Sequence, residues 1–246
     1  MTSPFTITVI GTGNVASHLV PWLEGTGAKV SQANPHTLEG LHPQTDICIV
    51  SVTDSAIPAV AASADKALVN PDAIIAHTSG TTPLSALSDL SHATGVLYPM
   101  QTFTKGRKLD YAHIPLFHEG SDPEAAKRLE ELAGAMTDHA RHVDSDTRAH
   151  IHLGAVFACN YLNYMMLLAE RTIAPLGLDT YRPLIEETIA KALEMGPRDA
   201  QTGPARRGDI NTLWAHMHLL QAHPHTGRVY RLLSQQILNL YKDCQP

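Results

Sequence analysis

A chain of 246 residues with 43% hydrophobic and 17% charged side chains can bury one large core or two modest ones, which excludes a disordered or fibrous class. Its formal charge of -6 leaves no basic footprint, so a nucleic-acid partner is not expected. Cys48, Cys159 and Cys244 are isolated and odd in number, without C-x-x-C spacing, which argues against disulfides and zinc–thiolate sites and fits a reducing cytoplasm.

Phe5 to Ile10 is β-branched or aromatic in every slot, as in a strand covered on both faces. Gly11-Thr12-Gly13-Asn14-Val15-Ala16 follows as G-x-G-x-x-A, and helical spacing resumes at Ser17. A strand before and a helix after make this a dinucleotide-binding turn. Gly11 permits the tight turn, Gly13 lets backbone approach a pyrophosphate, and Ala16 lets the helix lie close on the strand. Asn14 and Val15 complete the phosphate cradle at the positive end of the helix.

Ala28 to Gln32 reads as a second strand and Asp46 to Val52 as a third. A helix is expected from Ser55 to Ala64, capped by Asp54 or Ser55. Ala73 to His77, Gly95 to Tyr98 and Ile114 to Phe117 read as further strands, with a helix from Asp122 to Met136. This rhythm predicts a doubly wound parallel sheet with helices on both faces. The second strand ends Ser31-Gln32-Ala33-Asn34 without the acid that grips the ribose of NAD. Asn34, with Ser31, His36 and Thr37, can instead bond a 2′-phosphate, so NADP is favoured over NAD, which stays possible; a S-adenosylmethionine site is disfavoured.

Ligands in such sheets sit beyond the carboxyl ends of the strands. That nominates Ser51, Thr53 and Asp54, then His77 and Ser79, then Gln101 in Tyr98-Pro99-Met100-Gln101-Thr102-Phe103. Asp54 and Ser79 also suit ordinary turn and cap chemistry.

From Asp144 onward only helical periodicity remains, in segments near 146–176, 180–195, 209–222 and 226–242. The expected division is therefore 1–144 and 145–246. The run from Leu153 to Ala169, broken by Asn160 and Asn163, reads as a buried helix too short to span a membrane, and no signal peptide is expected, since no basic stretch followed by an apolar run is seen at the N-terminus. His152, Val156, Cys159 and Asn163 fall on one stripe with Asn160 at its edge, and buried polar groups need partners such as a substrate. Thr202 to Asp209 is a shaped loop in which Arg206 and Arg207 present planar forks to an anion and Asp209 can cap a helix. Of the 15 histidines, the close pairs His150/His152, His216/His218 and His223/His225 have no chelating geometry, so no metal is expected.

Taken together, Ile10–Ala16, Ser51–Asp54, His77–Gly80, Tyr98–Phe103, Val156–Tyr161 and Thr202–Asp209 resemble a bacterial family of Rossmann-like proteins whose C-terminal half is a domain of unknown function. More distantly the chain is similar to pyrroline-5-carboxylate reductase, prephenate dehydrogenase, the β-hydroxyacid dehydrogenases and the deazaflavin-dependent NADP reductases. The resemblance implies a helical domain like that of 6-phosphogluconate dehydrogenase, a homodimer through those helices, and an active cleft between domains. The lysine that β-hydroxyacid dehydrogenases carry on the long helix is absent here, where Val156-Phe157 stand. The expected function is hydride transfer between a nicotinamide and an imine or carbonyl of a small anionic substrate. His77, His152 and Asn160 are the catalytic candidates, and Gln101, Asn163, Thr202, Arg206 and Arg207 the substrate-binding ones. The alternatives are a dinucleotide-binding sensor without chemistry and a structural dimer whose glycine turn stays empty.

Overall fold

The computed structural model describes residues 5–172 and 176–242. Cys244, and residues 173–175 of the expected long helix, lie outside the described residues. Seven strands form one sheet: β1 (Thr6–Ile10), β2 (Lys29–Ala33), β3 (Ile47–Val50), β4 (Ile74–His77), β5 (Ala93–Pro99), β6 (Leu116–Gly120) and β7 (Ala140–His142), in the order β2-β1-β3-β4-β5-β6-β7. Helices α1 (Asn14–Gly25), α2 (Ile57–Ala67) and α3 (Pro123–Met136) connect them. The β-branched alternation of β1 explains its position. Ile7 and Val9 enter a core with Leu19 and Trp22 of α1 and Leu129 and Leu132 of α3. Ile10 enters a second core on the opposite face with Val50, Ile57 and Ala61.

The sheet departs from the all-parallel expectation at β5 and β6, which pair antiparallel. Their connection, residues 100–115, holds no crossover helix, and without a crossover the chain can only return antiparallel. That connection is pinned to α1. His18 is buried, its Nδ1 bonded to the Tyr111 hydroxyl at 3.0 Å and its Nε2 to the Thr104 carbonyl at 2.9 Å, while Trp22 stacks on Tyr111. The short β7, which has no apolar pattern of its own, pairs parallel with β6 at the sheet edge.

Two compact units emerge, Met1–Tyr161 and Leu162–Pro246, against a change of sequence rhythm at 144. Helix α4 (Ser145–Ala155) belongs with the sheet because Arg148 plugs it there: the guanidinium is buried, pairs with Glu119 of β6, and donates to the Thr82 carbonyl at 2.7 Å. Ser145 adds bonds from its amide and hydroxyl to the same carboxylate, at 3.2 and 2.8 Å.

Residues Val156–Tyr161 are π-helical and lead into α5 (Leu162–Thr172). The wider turn breaks the expected stripe of His152, Val156, Cys159 and Asn163, because i+3/i+4 neighbours no longer superpose. Nor is the run buried within the chain: Leu153, Phe157 and Tyr161 are half or more exposed. The helical stretch from Ser145 to Thr172 is 28 residues, longer than the apolar run suggested, and by length and composition alone it is sufficient to cross a membrane.

The second unit adds α6 (Arg182–Met195), the single turns α7 (Pro197–Ala200) and α8 (Pro204–Arg207), α9 (Ile210–Leu219) and α10 (Pro224–Leu240). Both single turns fall where the sequence reads as loop, since a four-residue helix has no periodicity to detect. Asp209 caps α9 as its position predicts, accepting from the Thr212 amide at 3.1 Å and hydroxyl at 2.7 Å.

Candidate functional site

Strands β1, β3, β4 and β5 are parallel, so the turns after them share one edge of the sheet. The first turn is shaped by two glycines for different reasons. Gly11 has φ +143°, its amide donates to the Ala33 carbonyl at 3.1 Å, and a Cβ there would strike the Ser51 carbonyl oxygen. Gly13 precedes α1 in an extended conformation, and a Cβ built on it meets nothing within 4 Å. No side chain caps α1 and its first turn holds no acid. The first-turn amides, Asn14, Val15 and Ala16 among them, have no intrahelical acceptor and sit at the positive end of the dipole. Ala16 is buried against β1, while Thr12, Gly13 and Asn14 are exposed. This is a cradle open to a diphosphate.

The cradle is braced from two sides. Gln32 Nε2 donates to the Gly11 carbonyl at 2.7 Å. Asn14 Oδ1 accepts from the Lys105 amide at 3.2 Å, which fixes an exposed basic tip, Lys105-Gly106-Arg107-Lys108, beside the turn. Composition hid this tip, because the chain as a whole is acidic. Beyond β2, Asn34 is exposed and its Oδ1 closes a turn by accepting from the His36 and Thr37 amides, at 2.8 and 3.3 Å. Its Nδ2 stays available as a donor, whereas Ser31 is spent on Thr8 at 2.9 Å.

After β3, Ser51 is buried, and Thr53 and Asp54 are exposed. Asp54 does not cap α2; its Oδ2 accepts from the Thr81 hydroxyl at 2.9 Å, tying two turns together. Ser79 is buried with its Oγ accepting from the Thr81 and Thr82 amides, at 3.1 and 2.9 Å, so it closes its own turn. His77 is wholly buried. Its Nδ1 accepts from the Ser79 amide at 3.1 Å, which places the proton on Nε2, a buried atom without a well-formed hydrogen bond among the described residues.

Burial, joined by the Arg148 charge and opposed by the Pro83 carbonyl and Asp54, pulls the His77 pKa down to about 4. A sealed, neutral imidazole cannot meet substrate, so the catalytic expectation for His77 gives way to a structural one. It has a consequence for stability. The unfolded chain takes up this proton below about pH 6.5 and the folded chain only near 4, so stability present above 6.5 is lost as pH falls between them. Between pH 7.5 and 4.5 His77 is expected to cost about 2.5 kcal/mol, read as the part of the urea-unfolding pH dependence that disappears in His77→Gln.

His152, half-buried on α4, meets the hydroxyl of Tyr98, the penultimate residue of β5, with Nδ1 to Oη at 3.1 Å. Gly80, after β4, makes room for the ring: a Cβ there would stand 2.5 Å from His152 Nδ1. The structure thus brings His152 to the turn after β4 and to Tyr98 near the end of β5, the first residue of the nominated Tyr98–Phe103 cluster. Gln101 is exposed beyond β5, its Oε1 taken by the Thr102 amide at 2.7 Å. Asn160 is exposed in the π-helical segment.

Asn163, Thr202, Arg206 and Arg207 belong to the second unit. Asn163 and Arg207 are exposed, and Thr202 lines an apolar cavity with Met165, Leu213 and Val229. Arg206 is half-buried with its guanidinium 5.2 Å from the Tyr241 ring centroid, a cation–π contact that holds the side chain.

Among solved structures, a Bacteroides fragilis protein provisionally named an NADP oxidoreductase is 32% identical, with a TM-score of 0.88, over 96% of this chain and 98% of that one. A Thermotoga maritima protein is 19% identical with a TM-score of 0.69, covering 97% and 99%. An Aspergillus terreus reductive aminase, solved with NADPH and ethyl levulinate, is 13% identical with a TM-score of 0.67, covering 99% and 95%. The last two likenesses are likenesses of fold. No curated protein matches the chain. Residues 114–237 match the domain of unknown function DUF2520, and with that match and the Bacteroides relative the chain belongs to the DUF2520 family of Rossmann-like proteins.

Proposed function

We propose that this protein is an NAD(P)-dependent oxidoreductase, favouring NADP, that acts on an imine or carbonyl of a small anionic substrate. The observation that carries the reading is the uncapped first turn of α1 at Gly13, with open space where a side chain would stand. Gly13, Asn14, Val15 and Ala16 would hold the diphosphate, and Thr53 and Asp54 lie at the next strand end, suited to a ribose. Asn34 Nδ2 and the Lys105–Lys108 tip supply donors and positive charge for a 2′-phosphate or the diphosphate, and no acid stands at the end of β2, where Ala33-Asn34 occur, to select NAD. The Bacteroides relative named for NADP supports the same choice. When bound, a nicotinamide dinucleotide supplies or accepts the hydride; the chain's task is to orient substrate and move the accompanying proton. The absence of a helix lysine favours an imine, whose reduction asks less of a protein acid.

Assembly as a homodimer through the helical unit is part of the proposal. Trp214, Leu219 and Leu193 are 71%, 74% and 83% exposed, while few side chains of that unit are buried, too little core for an independent fold. The test is NADPH oxidation by purified protein over a panel of cyclic imines and small ketoacids. Turnover on a member of either class is expected. Saturable NADPH binding with no turnover on any member would favour a dinucleotide sensor.

A further inference from the structure

We infer that Tyr98 is the positioning residue of a proton-transfer pair in which His152 works through Nε2. The inference rests on the redox reading above. The ring of His152 is held on two sides, by Tyr98 near the end of β5 and by Gly80 in the turn after β4. Tyr98 Oη lies 3.1 Å from Nδ1 with the two rings edge to face at 5.9 Å, and Gly80 lies flat against the imidazole where any Cβ would displace it. Nε2 is the nitrogen left over. It makes no hydrogen bond within the described residues, and it is not among their buried unpartnered atoms, so it is open to solvent or substrate.

Tyr98 itself is buried, stacks on Phe117 at 6.1 Å, and has no other hydrogen-bond partner for its hydroxyl among the described residues. Burial pushes that hydroxyl above the ordinary tyrosine range, so it stays a phenol. A phenol both donates and accepts. It therefore keeps its bond to Nδ1 in every state of the ring, donating to a bare Nδ1 and accepting from Nδ1–H in the other neutral tautomer and in the imidazolium. In the reducing direction the Nε2–H bond of the imidazolium breaks and its proton goes to the substrate nitrogen or oxygen as the adjacent carbon takes the hydride. The electron pair of that N–H bond stays on Nε2, giving a neutral imidazole whose remaining proton is on Nδ1 and donated to Tyr98, and solvent returns a proton to Nε2. Tyr98 plays the part that a carboxylate plays behind other catalytic histidines, fixing the ring without itself transferring a proton.

The test is Tyr98→Phe, which keeps the stacked ring and removes only the hydroxyl. Nitrogen-15 NMR of the histidine side chains should show the His152 Nδ1 resonance shifted in Tyr98→Phe relative to wild type, as its hydrogen bond to Tyr98 Oη is lost. NADPH affinity and KM should stay within about threefold, and kcat should fall about 10- to 100-fold. His152→Gln should lose at least as much, and the double variant little more than His152→Gln alone. An unchanged His152 Nδ1 resonance in Tyr98→Phe, or an unchanged kcat, with NADPH binding intact, overturns this inference and leaves the redox reading standing. Failure of the wild type to bind NADPH overturns the redox reading itself, and the pair's assigned role with it.

Discussion

Arg148→Ala is expected to destabilise the first unit by about 3–5 kcal/mol, the cost of leaving one member of a buried ion pair alone. The guanidinium is 1% exposed and its Glu119 partner's side chain 14%, so solvent cannot take over the lost contact. The substitution also strips a donor from the Thr82 carbonyl and from the network through Ser145 that fastens α4 to β6. Arg148→Met with Glu119→Leu should be less damaging than Arg148→Ala, since two apolar side chains fill the space without an orphaned charge. Urea unfolding of the three proteins checks both statements. A loss below 1 kcal/mol in Arg148→Ala would mean that the pair does not hold the helix to the sheet. Because α4 carries His152, the same substitution should also lower turnover.

Gly13→Leu is expected to abolish dinucleotide binding while leaving the fold intact. Space within 4 Å of the Cβ position is empty, so the chain itself has no quarrel with a side chain there. The cradle does: a leucine would occupy the volume through which backbone amides reach a diphosphate. NADPH affinity should fall at least 100-fold, about 2.7 kcal/mol, with urea unfolding of the free protein changed by less than about 1 kcal/mol. Gly11→Ala provides the contrast. Its φ of +143° and the Ser51 carbonyl in its path make that substitution costly to the fold before any ligand is added.

The readable parts of this chain are those whose physics is local. Six consecutive strand-forming residues, two glycines at fixed spacing and a following helix are enough to place the turn between Ile10 and Asn14. The same holds for the cap at Asp209, where one carboxylate serves an amide three residues on. What depended on distant partners was hidden. Arg148 reads as one more arginine on a helix, because Glu119 lies 29 residues earlier on a strand that gives no sign of facing it. His77 looks like a polar residue at the mouth of a cleft, whereas four buried strand positions, Ile74 to His77, carry it under the surface. The π-helical turn at Val156–Tyr161 has no sequence signature, and it displaces the stripe that regular spacing predicts. The apolar residues from Leu153 onward read as a buried helix, but Leu153, Phe157 and Tyr161 are half or more exposed within the chain, and the proposed dimer would cover them.

The central claim is that the turn before α1 holds a nicotinamide dinucleotide, and titration of the wild-type protein with NADPH reads it most directly. Saturable binding with one NADPH per chain is predicted, together with a rise in unfolding temperature of several degrees at 100 times the dissociation constant, where bound ligand contributes about 2.7 kcal/mol. No saturable signal and no shift in unfolding temperature, in protein shown to be folded, would contradict the account.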